Sequence, residues 1–294
     1  MLGIKDASVK IARDGVPSLS GKKVVIVGGT AGIGAALSKA ASAAGADVTV
    51  VGRTMRDPNM KFVKADLSLL STAIKVAKEL PAETIDVLIF TNGIVPGKKK
   101  VVTAEGVELD VAVSALNRHV MLKEIVPRLQ PTARVLIWGF PGGNAGGKSD
   151  ISDLNSEKKW EGELGMAHMN TVMLNEALTL HYAAKGVTTA GFNPGIIYTD
   201  IRKEMTGGNG ACMECCVGCL LGGKTLEWYV PKVLYTLTTP ELEKYKGQMF
   251  HQDGSPIKPS STLTPEVVAK WIEAADALAA KAAEKAAETS GASK

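Results

Sequence analysis

The clearest sign of a binding site in the sequence is a glycine-rich stretch, Gly28-Gly29-Thr30-Ala31-Gly32-Ile33-Gly34. It follows a short apolar run and opens a segment of helical period. Glycines at this spacing let the backbone turn tightly and approach a pyrophosphate, and the helix N-terminus adds free amides and the positive end of its dipole. The stretch predicts a phosphate-binding loop for a dinucleotide; a plain tight turn is the alternative.

The end of the second apolar run bears on which dinucleotide this loop serves. NAD-selective sites place an acidic side chain about 20 residues after the glycines, where it binds the ribose hydroxyls. This chain has Val51-Gly52-Arg53-Thr54 at that point, without an acid. Because a guanidinium is suited to a 2′-phosphate, Arg53 favours NADP over NAD. A solvated loop residue is the alternative interpretation of Arg53.

All four cysteines lie within eight residues, at Cys212, Cys215, Cys216 and Cys219. The two pairs are adjacent, without the intervening loop that would fold four thiolates around one metal ion. On a helix the four positions form one stripe of small apolar groups, flanked by glycines that could act as hinges. We interpret the segment as an apolar lid helix. A metal site and reversible acylation of a lid that touches a membrane stay open as alternatives.

The 294 residues have ordinary globular composition, with 45% apolar and 22% charged residues. The densest basic run, Lys98-Lys99-Lys100, is too short for a nucleic-acid surface and is typical of a solvated loop. No stretch approaches the roughly 20 apolar residues of a membrane span, or the apolar core of a signal peptide. The sequence predicts a cytoplasmic location. A cleaved organelle presequence is the alternative, against which the acidic residues before position 15 argue.

Short apolar, β-branched runs alternate with segments of helical period. Near-continuous apolar runs are typical of parallel strands buried on both faces, and their alternation with helices indicates right-handed βαβ units. The predicted fold is α/β: a doubly wound parallel sheet, or Rossmann-type three-layer sandwich, in one domain over residues 1–260. Strands are predicted at Lys23–Gly28, Asp47–Gly52, Lys61–Val63, Asp86–Thr91, Arg134–Gly139, Val187–Phe192 and Gln248–His251, and helices at Gly32–Ala44, Leu67–Leu80, Ala104–Leu129 and Leu164–Ala184.

Residues 261–294 are predicted to form an Ala/Lys/Glu-rich C-terminal helix and tail. Thr264-Pro265-Glu266 marks its start, with a capping Thr, Pro in the first turn and an acid at the positive end of the dipole. The interior is mostly alanine, with little to bury beyond Trp271, Ile272 and Leu278. We therefore expect a solvated or partner-seeking helix.

Together these features resemble the short-chain dehydrogenase/reductase family, and within it most the retinol-dehydrogenase-like branch, from about Leu19 to Gly254. The resemblance implies a nicotinamide dinucleotide as partner, a homodimer or larger assembly paired through two long helices, and a mobile lid. Besides the glycine loop, the matching segments are Asp66-Leu67, Thr91-Asn92-Gly93, Asp153-Leu154-Asn155, Pro194-Gly195 with Thr199, and Lys224-Thr225 through Pro240-Glu241-Leu242-Glu243. The implied cofactor-binding residues are Gly28, Thr30, Gly32, Ile33, Gly34, Arg53, Asp66, Leu67, Asn92, Gly93, Pro194, Gly195 and Thr199.

The family's proton-transfer residues, Asn, Ser, Tyr and Lys, are all substituted. Neighbouring matches align these positions, in that order, with Ser114, Phe140 (Gly139 if shifted by one), Leu164 and His168. Leucine and phenylalanine cannot donate a proton, so the oxyanion that forms on a hydride acceptor would lack a partner. We therefore assign no catalytic residue.

Four polar residues, Asn117, Tyr182, Lys185 and His168, could be taken for the missing groups, and none fits the family's pattern. Asn117 falls three residues beyond the Asn position, and Tyr182 and Lys185 are spaced by three rather than four at the far end of their helix. His168 could bind the ribose or donate a proton with a pKa near neutral. We interpret it as a packed histidine with one hydrogen bond, because the groups that would activate it are absent.

Two functions follow from this division. The favoured one is an NADP(H)-binding protein without catalysis, acting as a sensor, scaffold or accessory subunit. The alternative is a divergent NADP-dependent oxidoreductase that reduces a small or lipophilic carbonyl with His168 as proton donor, for which the Pro194-Gly195 turn and the lid are retained. A third, an interaction module that has lost the nucleotide, is disfavoured by the glycine loop and Arg53.

Overall fold

A computed structural model of the chain describes residues 4–11, 17–54, 57–97, 99–139, 148–161, 165–199 and 223–291. The strands are β1 (Lys23–Val27), β2 (Asp47–Gly52), β3 (Lys61–Lys64), β4 (Val87–Phe90), β5 (Arg134–Trp138), β6 (Thr188–Phe192), β7 (Gln248–Phe250) and β8 (Pro256–Ile257). The helices are α1 (Gly32–Ala43), α2 (Leu70–Glu79), α3 (Leu109–Val111), α4 (Asn117–Ile125), α5 (Met166–Ala184), α6 (Leu226–Thr238) and α7 (Pro265–Gly291).

One sheet contains all eight strands, in the order β3-β2-β1-β4-β5-β6-β7-β8. The first seven pair in parallel, and β8 joins β7 antiparallel. Chain order runs outward from β1 in both directions, so the sheet is doubly wound. The predicted α/β fold, its single domain and its C-terminal helix are confirmed. Strand β8 and helix α6 were not predicted.

Successive residues of the central strands face opposite layers, as the pleat requires. In β1, Val25 and Val27 pack in a core with α2, α4, α5 and α7, and Val24 and Ile26 pack in a second core with α1 and α6. These two apolar layers explain why the interior residues of the central strands are apolar on both faces of the sheet. The sheet therefore holds its carboxyl edge rigidly between two helical layers.

The helix predicted over Ala104–Leu129 begins only at Leu109, because the preceding residues form a turn. Val102 bridges to Glu108 across this turn, and Gly106 within it has φ +81°. The turn presents Glu105 to a different helix: its carboxylate accepts the backbone amides of Leu70 (2.5 Å) and Ser71 (3.1 Å). Helix α2 is thus capped by a residue 35 positions away, which explains why it starts three residues later than predicted.

Helix α7 is packed onto the domain, so the expectation of a solvated helix was wrong. Trp271 is 3% exposed and Ala275 is fully buried, and both belong to the core that contains α2 and α5. Ile272 and Leu278 are buried too, as the sequence indicated. The alanines that leave little to bury also let this helix approach its neighbours closely. Helix α7 therefore closes the core on one side of the sheet.

A polar contact anchors α7 to α4. Asp276 accepts hydrogen bonds from His119 Nε2 (2.8 Å) and Lys123 Nζ (2.6 Å). Burial lowers the pKa of His119, against the opposing effect of the Asp276 carboxylate. Burial tends to raise the pKa of Asp276, but the bonds from Lys123 and His119 hold it below its usual value. Both groups thus favour the state with a neutral imidazole and a charged carboxylate.

Acidification is therefore expected to loosen α7. Both folded-state pKa values are depressed, so the stability from this contact is complete above the unfolded-state pKa values and is lost as the pH falls. The loss that His119 causes begins below about pH 6.5, and the loss that Asp276 causes begins below about pH 3.9. Amide hydrogen exchange in α7 at pH 7.5 and 5.5 measures this. His119→Gln is expected to remove the loss of stability that begins near pH 6.5. Equal protection of α7 at both pH values would contradict the expectation.

No helix in the described part of the chain is both long enough and apolar enough to cross a bilayer. Lys98, Phe140, Leu164 and the segment 200–222, which contains the four cysteines, lie outside the described residues. The predictions made for those positions stay predictions.

Candidate functional site

The site lies at the carboxyl edge of the sheet, where β1 has β2 on one side and β4 on the other. Loops that leave β1 and β4 in opposite directions open a crevice at this switch point. The glycine loop follows β1, and Asn92 and Gly93 follow β4. Backbone amides of Thr91 and Asn92 both donate to the carbonyl oxygen of Val27, which fixes the two loops side by side (2.9 and 3.2 Å).

Two glycines of the loop allow no side chain. Gly28 has φ +86°, and a Cβ atom there would lie 2.4 Å from the backbone nitrogen of Asn92. A Cβ atom on Gly34 would lie 2.3 Å from the carbonyl oxygen of Gly28 and 2.5 Å from Thr91 Oγ1. The first turn of α1 is therefore pressed against the turn that follows β1. This close approach produces the tight turn predicted from the glycine spacing.

The N-terminus of α1 is open to a ligand. Its N-cap residue, Ala31, makes no side-chain capping bond, so the first amides of the helix are left for another acceptor. No acidic residue lies in the first turn. A groove of ≈ 450 Å³ runs along the loop and α1, lined by Gly29, Thr30, Ala31, Gly32, Ala35, Ala36, Lys39, Val50, Asp57, Met60, Leu226 and Glu227. The geometry offers amide donors and a positive dipole end beside an open volume, which suits a pyrophosphate.

The other predicted cofactor residues gather around this loop. The Thr30 side chain lies over Gly52, where a Cβ atom would meet it at 2.7 Å, and the next residue is the exposed Arg53. Thr199 lies beside Gly32, 3.5 Å from the position of a Cβ atom there. The structure thus brings the end of β2 and the loop after β6 to the same crevice.

Several other predicted cofactor residues lie in segments held by hydrogen bonds. Exposed Asp66 accepts bonds from Ser68, through its amide (3.0 Å) and its hydroxyl (2.8 Å). The carbonyl oxygen of buried Leu67 accepts Asn117 Nδ2 at 3.1 Å. Gly195 has φ +60°, follows Pro194, and donates its amide to Asn193 Oδ1 at 2.9 Å. Ile33 packs partly buried on the core behind the loop. The cofactor roles of these residues stay predictions.

A π-helical turn over Ala112–Leu116 shapes the wall below Asn92. It frees backbone carbonyl groups for side chains: Val113 O accepts Asn92 Nδ2 (2.6 Å) and Asn117 Nδ2 (2.7 Å), and Ser114 O accepts Asn175 Nδ2 (2.9 Å). Such turns recur at functional sites because they re-aim side chains. Here the turn places the Ser114 hydroxyl to accept the amide of Ile94 at 3.0 Å.

A buried guanidinium lies under the same wall. Arg118 is 2% exposed and donates to the carbonyl oxygens of Trp138 and Asn92 and to Asn175 Oδ1 (2.8 Å). Burial lowers its pKa to about 9, with the charge of Asp110 opposing that shift, so the group stays cationic at neutral pH. Arg118 thereby ties the ends of β4 and β5 together.

The structure also gives His168 a partner that sequence reasoning missed. Its Nδ1 lies 2.8 Å from Oδ2 of Asp110, a fully buried carboxylate that also accepts the Ser114 hydroxyl at 2.6 Å. Asp110, Ser114 and Arg118 are spaced by four residues along one helical segment. This spacing, with Asp110 and Ser114 standing among apolar neighbours in Leu109–Leu116, is the sequence signal for the cluster. The position of His168 on α5 has no sequence signal that would link it to these three residues.

The remaining candidates do not join this cluster. Tyr182 and Lys185 lie at the other end of α5, where burial raises the pKa of Tyr182, which makes it a poor proton donor. Gly139 packs against Asn175 and has no side chain to offer. Within the described residues, no group of three or more His, Cys, Asp or Glu side chains could hold a metal ion.

The chain is similar to known proteins along most of its length. The chain is 35% identical over 298 residues to the uncharacterized oxidoreductase YKL107W of Saccharomyces cerevisiae, covering 95% of both chains. It is 25% identical over 285 residues to retinol dehydrogenase 13 of Mus musculus, covering 88% of this chain and 84% of the relative. The chain belongs to the short-chain dehydrogenase/reductase family. Its predicted resemblance to the retinol-dehydrogenase-like branch is confirmed. No protein-family model matches the chain.

Solved structures of the family share the fold. A short-chain dehydrogenase/reductase of Serratia marcescens superposes with a TM-score of 0.58 at 19% identity, over 81% of this chain and 98% of that one. A protein of Beutenbergia cavernae with bound NADP superposes with a TM-score of 0.60 at 23% identity, over 82% of this chain and 98% of that one. BdcA in complex with NADPH superposes with a TM-score of 0.58 at 20% identity, over 83% of this chain and 98% of that one.

Proposed function

We propose that the protein binds NADP(H) across the crevice, with the pyrophosphate over the N-terminus of α1. The observation that carries this proposal is the cradle made by Gly28 and Gly34: neither position has room for a Cβ atom, and the adjoining helix end lacks a side-chain cap. A turn this tight beside uncapped amides fits a phosphate group. Structural neighbours that contain NADP and NADPH support the same ligand.

The preference for NADP over NAD rests on Arg53, exposed at the end of β2 beside Thr30. Arg53→Ala is expected to weaken NADPH binding about 10- to 100-fold, since a hydrogen bond to a charged group is worth roughly 1.5–3 kcal/mol. NADH affinity is expected to stay unchanged. Titration of both nucleotides measures this. Lys75→Ala removes a comparably exposed cation from α2 as the control. Equal loss for both nucleotides would show that Arg53 does not read the 2′-phosphate.

A protein that binds NADP(H) could act without catalysis or as an oxidoreductase, and the contact between His168 and Asp110 favours the oxidoreductase. The substituted tetrad positions, Ser114 and His168 among the described residues, favour a sensor, scaffold or accessory subunit. Against this stands the bond between His168 and buried Asp110, which gives the site an oriented titratable group. We therefore place the protein with the divergent oxidoreductases that reduce a small or lipophilic carbonyl. The relative from Saccharomyces cerevisiae, described as an oxidoreductase, supports this choice.

Thermal stabilisation followed by a single-turnover assay tests both parts. NADPH is expected to raise the melting temperature more than NADH does. Oxidation of bound NADPH is then followed with a panel of aldehydes and ketones. Stabilisation by neither nucleotide would overturn the proposal entirely. Stabilisation by NADPH without oxidation by any carbonyl would return the protein to the non-catalytic role.

A further inference from the structure

The carboxylate of Asp110 is the centre of a buried polar cluster that nucleotide binding does not require. It accepts Ser114 Oγ (2.6 Å), His168 Nδ1 (2.8 Å) and Thr171 Oγ1 (3.4 Å), and it is fully buried. Donors from two helical segments thus fix its orientation. A buried carboxylate held in this way can in turn fix the ring that it contacts.

The contact sets the tautomer of His168. A carboxylate oxygen accepts hydrogen bonds, so the Nδ1 atom that faces Asp110 carries the hydrogen. In the neutral ring the lone pair is then on Nε2. The His168 side chain is 18% exposed, and among the described residues Nε2 has no hydrogen-bond partner. Nε2 is therefore the ring nitrogen that is left to exchange a proton.

The cluster is joined to the crevice wall. Ser114 Oγ accepts the amide of Ile94 at 3.0 Å, and it lies 3.5 Å from where a Cβ atom on Gly93 would be. Continuous hydrogen bonds thus run from the residues that follow β4, through Ser114 and Asp110, to His168. The proton-carrying group is tied to the wall against which the proposed nucleotide would lie.

A second buried group, the guanidinium of Arg118, carries the charge opposite to that of Asp110 and interacts with it. The attraction between the two groups raises the pKa of Arg118 against the stronger lowering effect of its burial. Asp110 therefore has a counter-charge other than His168. The imidazole can lose and regain a proton without leaving the carboxylate as the sole buried charge.

We infer that Asp110 and His168 form the acid/base pair of this protein, with Nε2 of His168 exchanging the proton and Asp110 positioning the ring. The inference rests on the proposed function and names the residues that would perform its chemistry. The family's tyrosine position is Leu164 in this chain and its lysine position is His168. The proton donor would then have moved from the tyrosine position to the lysine position.

Carbonyl reduction needs a hydride and a proton, and a bound reduced nicotinamide supplies the hydride. As the carbon accepts it, the electron pair of the C=O π bond moves to the oxygen. The imidazolium Nε2–H bond breaks, and its proton forms the O–H bond of the alcohol. His168 is left neutral with Nδ1–H still bonded to Asp110, and it regains a proton from water. Alcohol oxidation uses the same nitrogen as base.

Nuclear magnetic resonance of the protein without nucleotide, labelled with ¹⁵N at histidine, tests the positioning directly. The neutral His168 ring is expected as the Nδ1–H tautomer. Asp110→Asn retains the size of the side chain but removes its charge and replaces one acceptor oxygen with a donor, so the preference for Nδ1–H is expected to weaken and the Nε2–H tautomer to appear. A wild-type ring with hydrogen on Nε2 would overturn the inference without reference to any activity.

Single-turnover reduction with NADPH tests the chemistry. His168→Ala and Asp110→Asn are each expected to slow it by about 10²- to 10⁴-fold, the usual contribution of a positioned acid or base. Added imidazole is expected to restore part of the rate of His168→Ala. The control is His181→Ala, a half-buried histidine on the same helix, for which no change is expected. An undiminished rate in His168→Ala would overturn the inference while leaving the oxidoreductase proposal intact.

Thermal stabilisation by NADPH, measured on every variant, separates this inference from the proposed function. NADPH is expected to raise the melting temperature of His168→Ala and Asp110→Asn as much as that of the wild-type protein, because neither residue belongs to the phosphate cradle. No shift in the wild-type protein would overturn the proposed function itself. A wild-type shift together with turnover that is insensitive to both substitutions would overturn only the assignment of Asp110 and His168.

Discussion

Alanine at position 34 is expected to abolish NADPH binding, raising the dissociation constant by at least about 100-fold, or roughly 2.7 kcal/mol. Its Cβ atom would lie 2.3 Å from the carbonyl oxygen of Gly28 and 2.9 Å from the carbonyl carbon. Both contacts are with backbone, which cannot rotate away as a side chain can. The loop must therefore move off the first turn of α1, and the amides that would hold the pyrophosphate lose their geometry.

Calorimetric titration with NADPH measures this effect, with urea unfolding as a second measurement. Overpacking at Gly34 is expected to cost roughly 1–3 kcal/mol of folding free energy, so the variant stays folded for the titration. Gly97→Ala is the matched control, because a Cβ atom at Gly97 meets nothing within 4 Å. Wild-type affinity in Gly34→Ala would show that the nucleotide does not bind over this loop.

The fold was predictable because its signals are local. The strands β1, β2 and β4 are mostly apolar and rich in β-branched residues, and the glycine loop marks the point where β1 gives way to a helix. Burial in two layers then follows from the alternation of strand and helix alone. The start of α7 was predictable for the same reason, since capping is encoded in three adjacent residues.

Packing partners were not predictable, because they depend on residues far apart in sequence. Helix α7 looked solvated from its alanines, yet it lies against α5, where small side chains permit close approach. Helix α2 begins where Glu105 caps it, 35 residues along the chain. Neither contact has a sequence period that could reveal it. Propensity and spacing describe one element at a time.

The same limit applies to the site. Aligning the family's positions found His168 and showed what was missing around it, but it could not show Asp110 58 residues away. A histidine judged as packed, with one hydrogen bond, does make one hydrogen bond; its partner is a buried carboxylate. The identity of that partner makes an oxidoreductase worth testing before a non-catalytic role is accepted.

Arg118→Met is expected to destabilise the protein by at least about 3 kcal/mol, because three buried oxygen acceptors lose a donor at roughly 1–3 kcal/mol each. The substitution leaves the carbonyl oxygens of Asn92 and Trp138 and the Oδ1 atom of Asn175 without this donor, and it removes a buried positive charge that interacts with Asp110. Arg118→Lys is expected to recover part of this loss, because one ammonium group keeps the charge but cannot reach acceptors on both strands.

Urea unfolding of the two variants measures the loss, and Arg128→Met is the control. Arg128 also donates to backbone carbonyl oxygens, those of Leu80 (3.0 Å) and Ala77 (2.6 Å), but its side chain is 36% exposed. Its loss is expected to cost only about 1 kcal/mol, because water can replace the bonds. Equal losses for Arg118 and Arg128 would show that the buried charge contributes no more than its hydrogen bonds. A large loss confined to Arg118, with weaker NADPH binding in Arg118→Lys, would show that this guanidinium supports both the fold and the nucleotide wall.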